Sequence, residues 1–342
     1  MDSISQGVLG WAVSGLIGWK KLGKKAYRRG IALGTVPDLD VFVGPWLYND
    51  PLQAMFFHRW PTHSIVFALL AAPFFAYIIN KIHKWDKSSW WIWTRIVFFV
   101  FLTHALLDAL TNYWTRLLRP FTDAAYSFDS IFIIDPLYTI PFLLLFLIAL
   151  FVKNRMKAWK INARGVGIST VYLLLGLGLK FAVINPTMNQ TLADQKLPTI
   201  ESFITPEAWQ IALRRQVAVT QDELIQWWYS IFDSHKNIAY KAVPRMTELL
   251  EPYSQNTRVQ QLIDKSQWYY LARKHPEQWV LLIDARFGWL NAWEEQEENF
   301  IFGYHIYQKD GEIFVSDRNR WDEGRSIPDN VLGVWWARVK GI

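Results

Sequence analysis

Residues Trp90 to Leu110 read WWIWTRIVFFVFLTHALLDAL. At 1.5 Å per residue, a helix of that length reaches roughly 30 Å, the thickness of a bilayer's hydrocarbon core. Two ionisable residues interrupt its final turns. His104 and Asp108 are four residues apart, which places both on one helical face about one turn from each other. An ionisable group inside such a helix is costly and faces a partner or a cavity. The pair therefore reads either as two ligands of a functional site or as a hydrogen-bonded contact joining helices.

Working outward, Ile131 to Val152 and Gly165 to Ile184 are also long and apolar enough to cross. Ser64 to Asn80 is shorter and holds Pro73, and Ile4 to Trp19 is Gly-rich, so both are open to tilted, partly buried or re-entrant placement. Basic residues cluster between the apolar runs: Lys20, Lys21, Lys24, Lys25, Arg28 and Arg29; Lys81, Lys84 and Lys87; Lys153, Arg155, Lys157, Lys160 and Arg164. The positive-inside rule assigns all three clusters to the cytoplasm, and so assigns Pro37 to Thr62, Thr111 to Ser130 and the chain after Asn185 to the opposite face. The N-terminus lacks a basic leader and a small-residue cleavage site, so its apolar stretch is expected to be retained.

Composition agrees with this layout. Of 342 residues 51% are hydrophobic and only 19% charged, which excludes a disordered chain, and 20 Trp with 22 Phe suit a membrane interface. Residues 1–184 carry 19 Lys and Arg against 9 Asp and Glu, whereas residues 185–342 carry 17 against 21, so the net charge of +6 belongs to the first part. Cations set between apolar runs argue for a lipid bilayer as partner and against nucleic acid. With no cysteine, disulfide frameworks, thiolate zinc sites and cysteine nucleophiles are excluded, and any metal must use nitrogen and oxygen ligands.

The expected fold is a multi-pass α-helical membrane domain, residues 1–184, followed by a soluble α+β domain, residues 185–342, on the extracytoplasmic side. In the second domain, Ala208 to Val219 and Glu223 to Phe232 alternate like strands, Thr257 to Lys274 has helical spacing, and Lys309-Asp310-Gly311 reads as a hairpin turn. His235, His275 and His305 are scattered there and read as surface or core histidines.

Eight of the nine acids before residue 185 fall on the expected outer side, joined by His58, His63 and His104, although acids contribute little to topology. Such a mixture of carboxylates and imidazoles suits a divalent metal. In Pro37-Asp38-Leu39-Asp40, an extended backbone would turn both carboxylates to one side, and the bland alternative is a solvated turn. His58-Arg59-Trp60-Pro61-Thr62-His63-Ser64 brings two imidazoles close to a helix start that Thr62 or Ser64 could cap, and Arg59 could hold an anionic group of a substrate or a lipid headgroup. Asp135-Pro136 reads equally as a helix cap and as a proton acceptor.

The ordered motifs DSISQ, PDLD, HRWPTHS, THALLD and FDSIFIIDPLYT resemble the LexA-binding, inner-membrane-associated metal-dependent hydrolases, also called the YdjM-like family, over roughly residues 1–155. The resemblance implies a multi-pass membrane hydrolase with Asp38, Asp40, His63, His104 and Asp108 as metal ligands and His58 nearby. That family is in turn similar, remotely, to zinc-dependent phospholipase C and P1 nuclease, whose His-x-x-x-Asp spacing His104 and Asp108 match. Trp60 stands where relatives often have Gly, and Gln6 where some carry His. The expected chemistry is hydrolysis of a small-molecule or lipid phosphoester by a water activated on zinc, or on manganese, with His58 or Asp135 taking the proton and Arg59 orienting the substrate. The rival reading is a non-catalytic, membrane-anchored assembly protein whose C-terminal domain binds a protein partner.

Overall fold

Asp2 accepts hydrogen bonds from the backbone N–H groups of Ile4 and Ser5 and so starts α1 (Ser3–Leu22), which stops at Gly23, in the left-handed region at φ 57°. The chain then turns back into α2 (Lys24–Thr35). The two helices approach so closely that a Cβ at Gly10 would stand 2.3 Å from the carbonyl oxygen of Gly30, and one at Gly34 would stand 2.3 Å from that of Gln6. Only glycine permits this contact, and small-residue interfaces of this kind drive helix pairing where lipid supplies no hydrophobic force.

The computed structural model describes residues 1–83, 87–234, 240–275, 279–288, 302–317 and 330–341; Lys84 and His235 lie outside them. A 3-10 turn at Pro37–Leu39 leads into two short helices, α3 (Asp40–Leu47) and α4 (Pro51–Phe57). Then follow α5 (Ile65–His83), α6 (Lys87–Ala109), α7 (Pro136–Phe151), α8 (Arg155–Leu179), a π turn at Lys180–Ile184, and α9 (Asn185–Asp194). Contacts divide the chain into two units, Met1–Lys180 with Pro206–Ile211, and Phe181–Thr205 with Ala212–Ile342.

Among the described residues, three helical segments are long and apolar enough to cross a membrane: Ile65–Ile82, Ser89–Ala109 and the run Arg155–Asp194. The window in α6 is 56% buried against 22% for the other two, so α6 is the central helix and the others turn most of their apolar surface outward. Expected spans shift accordingly. The run expected from Ser64 to Asn80 is one unbroken helix, Ile65–His83, despite Pro73. The run Ile131 to Val152 is helical only from Pro136, because Asp135 caps there, and its 16 residues make a shorter helix. The span expected at Gly165 begins ten residues earlier, capped by Asn154, so that Arg155, Lys157, Lys160 and Arg164 of its basic cluster lie on the helix itself.

Val13, Leu33, Ala72, Trp93, Val97 and Phe101 fill the core between α1, α2, α5 and α6. Near-neighbour bonds place the starts of α1, α5 and α7 and the ends of α2 and α6 at one end of this bundle. Asp2 N–H donates to Ile133 O at 3.0 Å and Ile65 N–H to Leu117 O at 2.9 Å.

Among the described residues, the second unit holds two four-stranded sheets. One runs β1 (Glu201–Pro206), β2 (Leu213–Val219), β3 (Glu223–Ser230), β4 (Lys241–Pro244), and the other β5 (Tyr270–Lys274), β6 (Val280–Asp284), β7 (Gly303–Lys309), β8 (Glu312–Asp317), each strand bonded to the next. Leu213, Val217, Leu224, Leu271 and Ile283 share one core, on which Val339 of the helix Val331–Val339 also packs. The turn at Asp310-Gly311, with both residues at positive φ, joins β7 and β8 as expected. Two expectations are corrected. The strand read from Ala208 starts at Leu213, and the helix read over Thr257 to Lys274 ends at Ser266, where Gln267 turns left-handed at φ 48° and releases Tyr270 to Lys274 into a strand.

Candidate metal centre

Three segments converge at the end of the bundle just described. α6 contributes His104 and Asp108 on one face, as their spacing requires, with Nε2 and Oδ2 3.8 Å apart. The turn after α2 contributes Asp38, and the loop before α5 contributes His63. His63 Nε2 lies 3.1 Å from Asp108 Oδ2, 3.1 Å from His104 Nε2 and 3.2 Å from Asp38 Oδ1. The four donor atoms all lie within 4.8 Å of one another. His63, His104 and Asp108 are fully buried, and the group opens outward through Asp38, whose side chain is 22% exposed.

Hydrogen bonds fix which imidazole nitrogens face inward. His104 Nδ1 sits 2.8 Å from Gly34 O, which can only accept, so Nδ1 carries a proton and Nε2 presents a lone pair when the ring is neutral. The Thr62 hydroxyl donates to Asp40 Oδ2, so it must accept from His63 Nδ1 at 2.8 Å. His63 Nε2 therefore also faces inward as a lone pair when the ring is neutral. Two lone pairs 3.1 Å apart beside two carboxylates repel unless a cation lies among them, and two imidazoles with two carboxylates are the donor set of a divalent metal. The residues present fit such an ion.

In the metal-free protein a proton serves instead. Burial opposes charge on His63, but the carboxylates of Asp108 and Asp38 outweigh it and hold the imidazole above its ordinary value of 6.5. Burial likewise disfavours the charged form of Asp38, yet hydrogen bonds with His104 and His63 keep its carboxyl well below the usual carboxylate range. Asp40 is also held low, against its burial, by its bonds to His58 and Thr62.

Asp40 stands outside the four-donor group. The extended backbone expected for Pro37 to Asp40 is instead a 3-10 turn started by Pro37, in which residues two apart are about 240° apart around the axis. Asp38 consequently faces the inner edge of the His63 ring, while Asp40 Oδ2 lies 3.8 Å from Nδ1 on its outer edge. Asp40 also accepts from Arg59 N–H at 2.9 Å and meets His58 Nδ1 at 2.6 Å. His58 and His63 rings are 5.8 Å apart, and the His58 side chain is 32% exposed.

Arg59 is held with φ 65°, a conformation that bulky residues seldom adopt, and this aims its guanidinium at the site. Its Nη2 lies 3.2 Å from Asp108 Oδ2, and its Nη1 donates to Tyr113 O at 3.2 Å. Asp135 is not brought to the group: it is buried, caps α7 through Leu137 and Tyr138 N–H, and accepts from the Tyr172 hydroxyl at 2.9 Å. Ser64, not Thr62, caps α5, accepting from Phe67 N–H at 3.0 Å.

Three participants carried no clear signal. The Gly34 carbonyl is a backbone group, visible in no motif. Thr62 read only as a cap. Gln6, which stands where some relatives carry His, donates to Asp108 Oδ1 at 2.9 Å, beside the α-amino group of Met1.

A helical bundle with helices long and apolar enough to cross a membrane, and a buried His and Asp cluster at one end, defines a candidate membrane protein with a candidate metal site. Residues 1–186 match the family described as YdjM inner membrane protein, and the chain belongs to that family. No curated protein and no solved structure matches it, so the likeness to zinc-dependent phospholipase C and P1 nuclease rests on the His-x-x-x-Asp spacing alone.

Proposed function

We propose that this protein is a membrane-bound, metal-dependent hydrolase acting on a phosphoester, with lipid-borne esters the first candidates. The observation that carries this reading is the inward-facing pair of His63 and His104 Nε2 atoms between the carboxylates of Asp38 and Asp108. A divalent ion held by these four residues, zinc or else manganese, would supply Lewis acidity and lower the pKa of water from 15.7 toward roughly 7. Gly34 and Thr62 hold the two imidazoles in the ligating tautomer. Asp40 holds His58 by Nδ1, leaving Nε2 of that half-exposed ring as the proton acceptor. Arg59, with a buried Nε that has no hydrogen-bond partner, is placed to orient an anionic oxygen.

The basic clusters on α2 and α8 lie at the end of the bundle away from the site, which supports an extracytoplasmic site and C-terminal domain. Because the chain has no cysteine, single cysteines introduced at Thr122 and Lys157 can be tested for labelling from either side without background. Labelling of Thr122→Cys from the cytoplasm alone would reject this orientation.

Activity is tested with soluble and lipid phosphoesters on detergent-purified protein, before and after chelation and with metal restored. Turnover lost to chelator, regained with metal and absent in His63→Ala supports the reading; metal-loaded protein inert toward the whole panel rejects it. One observation favours the rival, non-catalytic scaffold: Asp108 already meets Met1, Gln6 and Arg59, donors that could satisfy it without a metal. In that reading the C-terminal domain recognises a protein partner and the purified chain carries little metal.

A further inference from the structure

α1 starts beside Asp108 and ends 20 residues later, about 30 Å away, at the other end of the bundle. A recess opens there between α1, α2, α7 and α8. It is lined by Trp11, Tyr27 and Leu150 and by the cations Lys24, Arg28, Lys153 and Arg155. The four cations are exposed and make no ion pair among the described residues. Arg155 lies back across the α1–α2 turn, where a Cβ at Gly23 would stand 3.6 Å from its Cζ. It is also the first residue of the 25-residue helix α8, whose N-terminal N–H groups favour an anion.

The apolar part of the recess has a matching feature. Trp11 is buried, stacked on Tyr27 at 4.5 Å, and its indole N–H has no hydrogen-bond partner. A buried donor left unpaired calls for an acceptor. Between Trp11 and Gly23 the helix rises by roughly 18 Å, comparable to a lipid acyl chain. Topology alone requires cations at this end, but it does not require a recess beside them.

We propose that this recess binds one anionic phospholipid. The phosphate sits among Lys24, Arg28 and Arg155 at the start of α8, and the glycerol ester and one acyl chain lie over Trp11, Tyr27 and Leu150. Basic pockets between helices bind anionic headgroups by this combination of charge and apolar surface. The site is independent of the metal centre and of the reaction assigned to it.

The test is native mass spectrometry of the full chain in neutral detergent with phosphatidylglycerol, phosphatidylcholine or glycerol phosphate. One phosphatidylglycerol should be retained per chain, with phosphatidylcholine retained roughly tenfold less or weaker. Lys24→Gln/Arg28→Gln/Arg155→Gln should lose phosphatidylglycerol by a similar factor, while Lys157→Gln/Lys160→Gln should keep it. Unchanged melting of the lipid-free variants establishes that folding is intact. Should the triple variant not fold, the lipid preference of the wild type and weaker retention by Trp11→Phe still decide the matter. Equal retention of the two lipids, wild-type retention by a folded triple variant, or displacement of the lipid by equimolar glycerol phosphate would each overturn the proposal, the last by assigning the rim to a soluble phosphate.

Discussion

His104 Nδ1 donates to the carbonyl oxygen of Gly34 across 2.8 Å, in the turn of α2 where that helix runs against the backbone of α1. The orientation of a candidate ligand thus depends on a glycine that touches no metal. A methyl group at Gly34 would meet Gln6 O at 2.3 Å, and backbone cannot yield as a side chain end would. Gly34→Ala should push α1 and α2 apart, cost about 1–3 kcal/mol of stability, and weaken metal binding by roughly tenfold or more. Gly167→Ala, with nothing within 4 Å, is the control that should change neither. Metal titration and melting of the two variants check this, and an unaltered Gly34→Ala protein would break the link between helix packing and ligand orientation.

Asp38 and Asp40 should separate by experiment. Asp38 faces His63 Nε2, so Asp38→Asn removes a ligand and should abolish stoichiometric metal. Asp40 faces the outer edge of the ring, so Asp40→Asn should weaken affinity by roughly 10–100-fold while leaving stoichiometry at saturation unchanged. Equal and complete loss in both would make Asp40 a direct ligand.

Stability of the chelated protein should depend on pH through His63. Its folded-state value is raised, so its contribution is fully present below the unfolded value near 6.5 and fades as pH rises through the folded value. Melting of metal-free protein should therefore fall as pH climbs above 6.5. Metal binding should tighten over the same window, because the ion displaces that proton. A melting curve of chelated protein that rises with pH across this range would show that His63 carries no proton there.

The proposed acceptor role of His58 predicts a split between binding and turnover. His58→Gln should retain metal, since the ring lies outside the four-donor group, and should lower turnover by roughly 10²–10⁴-fold. Loss of metal together with activity would make the residue structural.

Local chemistry made much of this site legible in the sequence. His104 and Asp108 share a face because four residues make about one turn, and their place inside an apolar run marked them at once. His63 and Asp38 were recognisable as metal-ligand types, but their meeting depends on how α2, α5 and α6 pack, which no spacing encodes. The extended reading of Asp38 and Asp40 failed because Pro37 starts a 3-10 turn, sending the two carboxylates to opposite edges of one imidazole. Asp135 looked equally like a cap and a base, and the Tyr172 hydroxyl that occupies it comes from a helix 37 residues away in sequence. In the second unit, the turn at Asp310-Gly311 was evident from composition, whereas the end of the helix at Ser266 was hidden by apolar residues that continue at helical spacing into β5.

The most direct measurement is elemental analysis of the detergent-purified wild type beside His63→Ala and His104→Ala, each also titrated with zinc and manganese after chelation. The account predicts a stoichiometric divalent metal in the wild type and its loss in both variants while they remain folded. A wild type that takes up neither metal, or variants that keep it, would contradict the assignment of these residues as a metal centre.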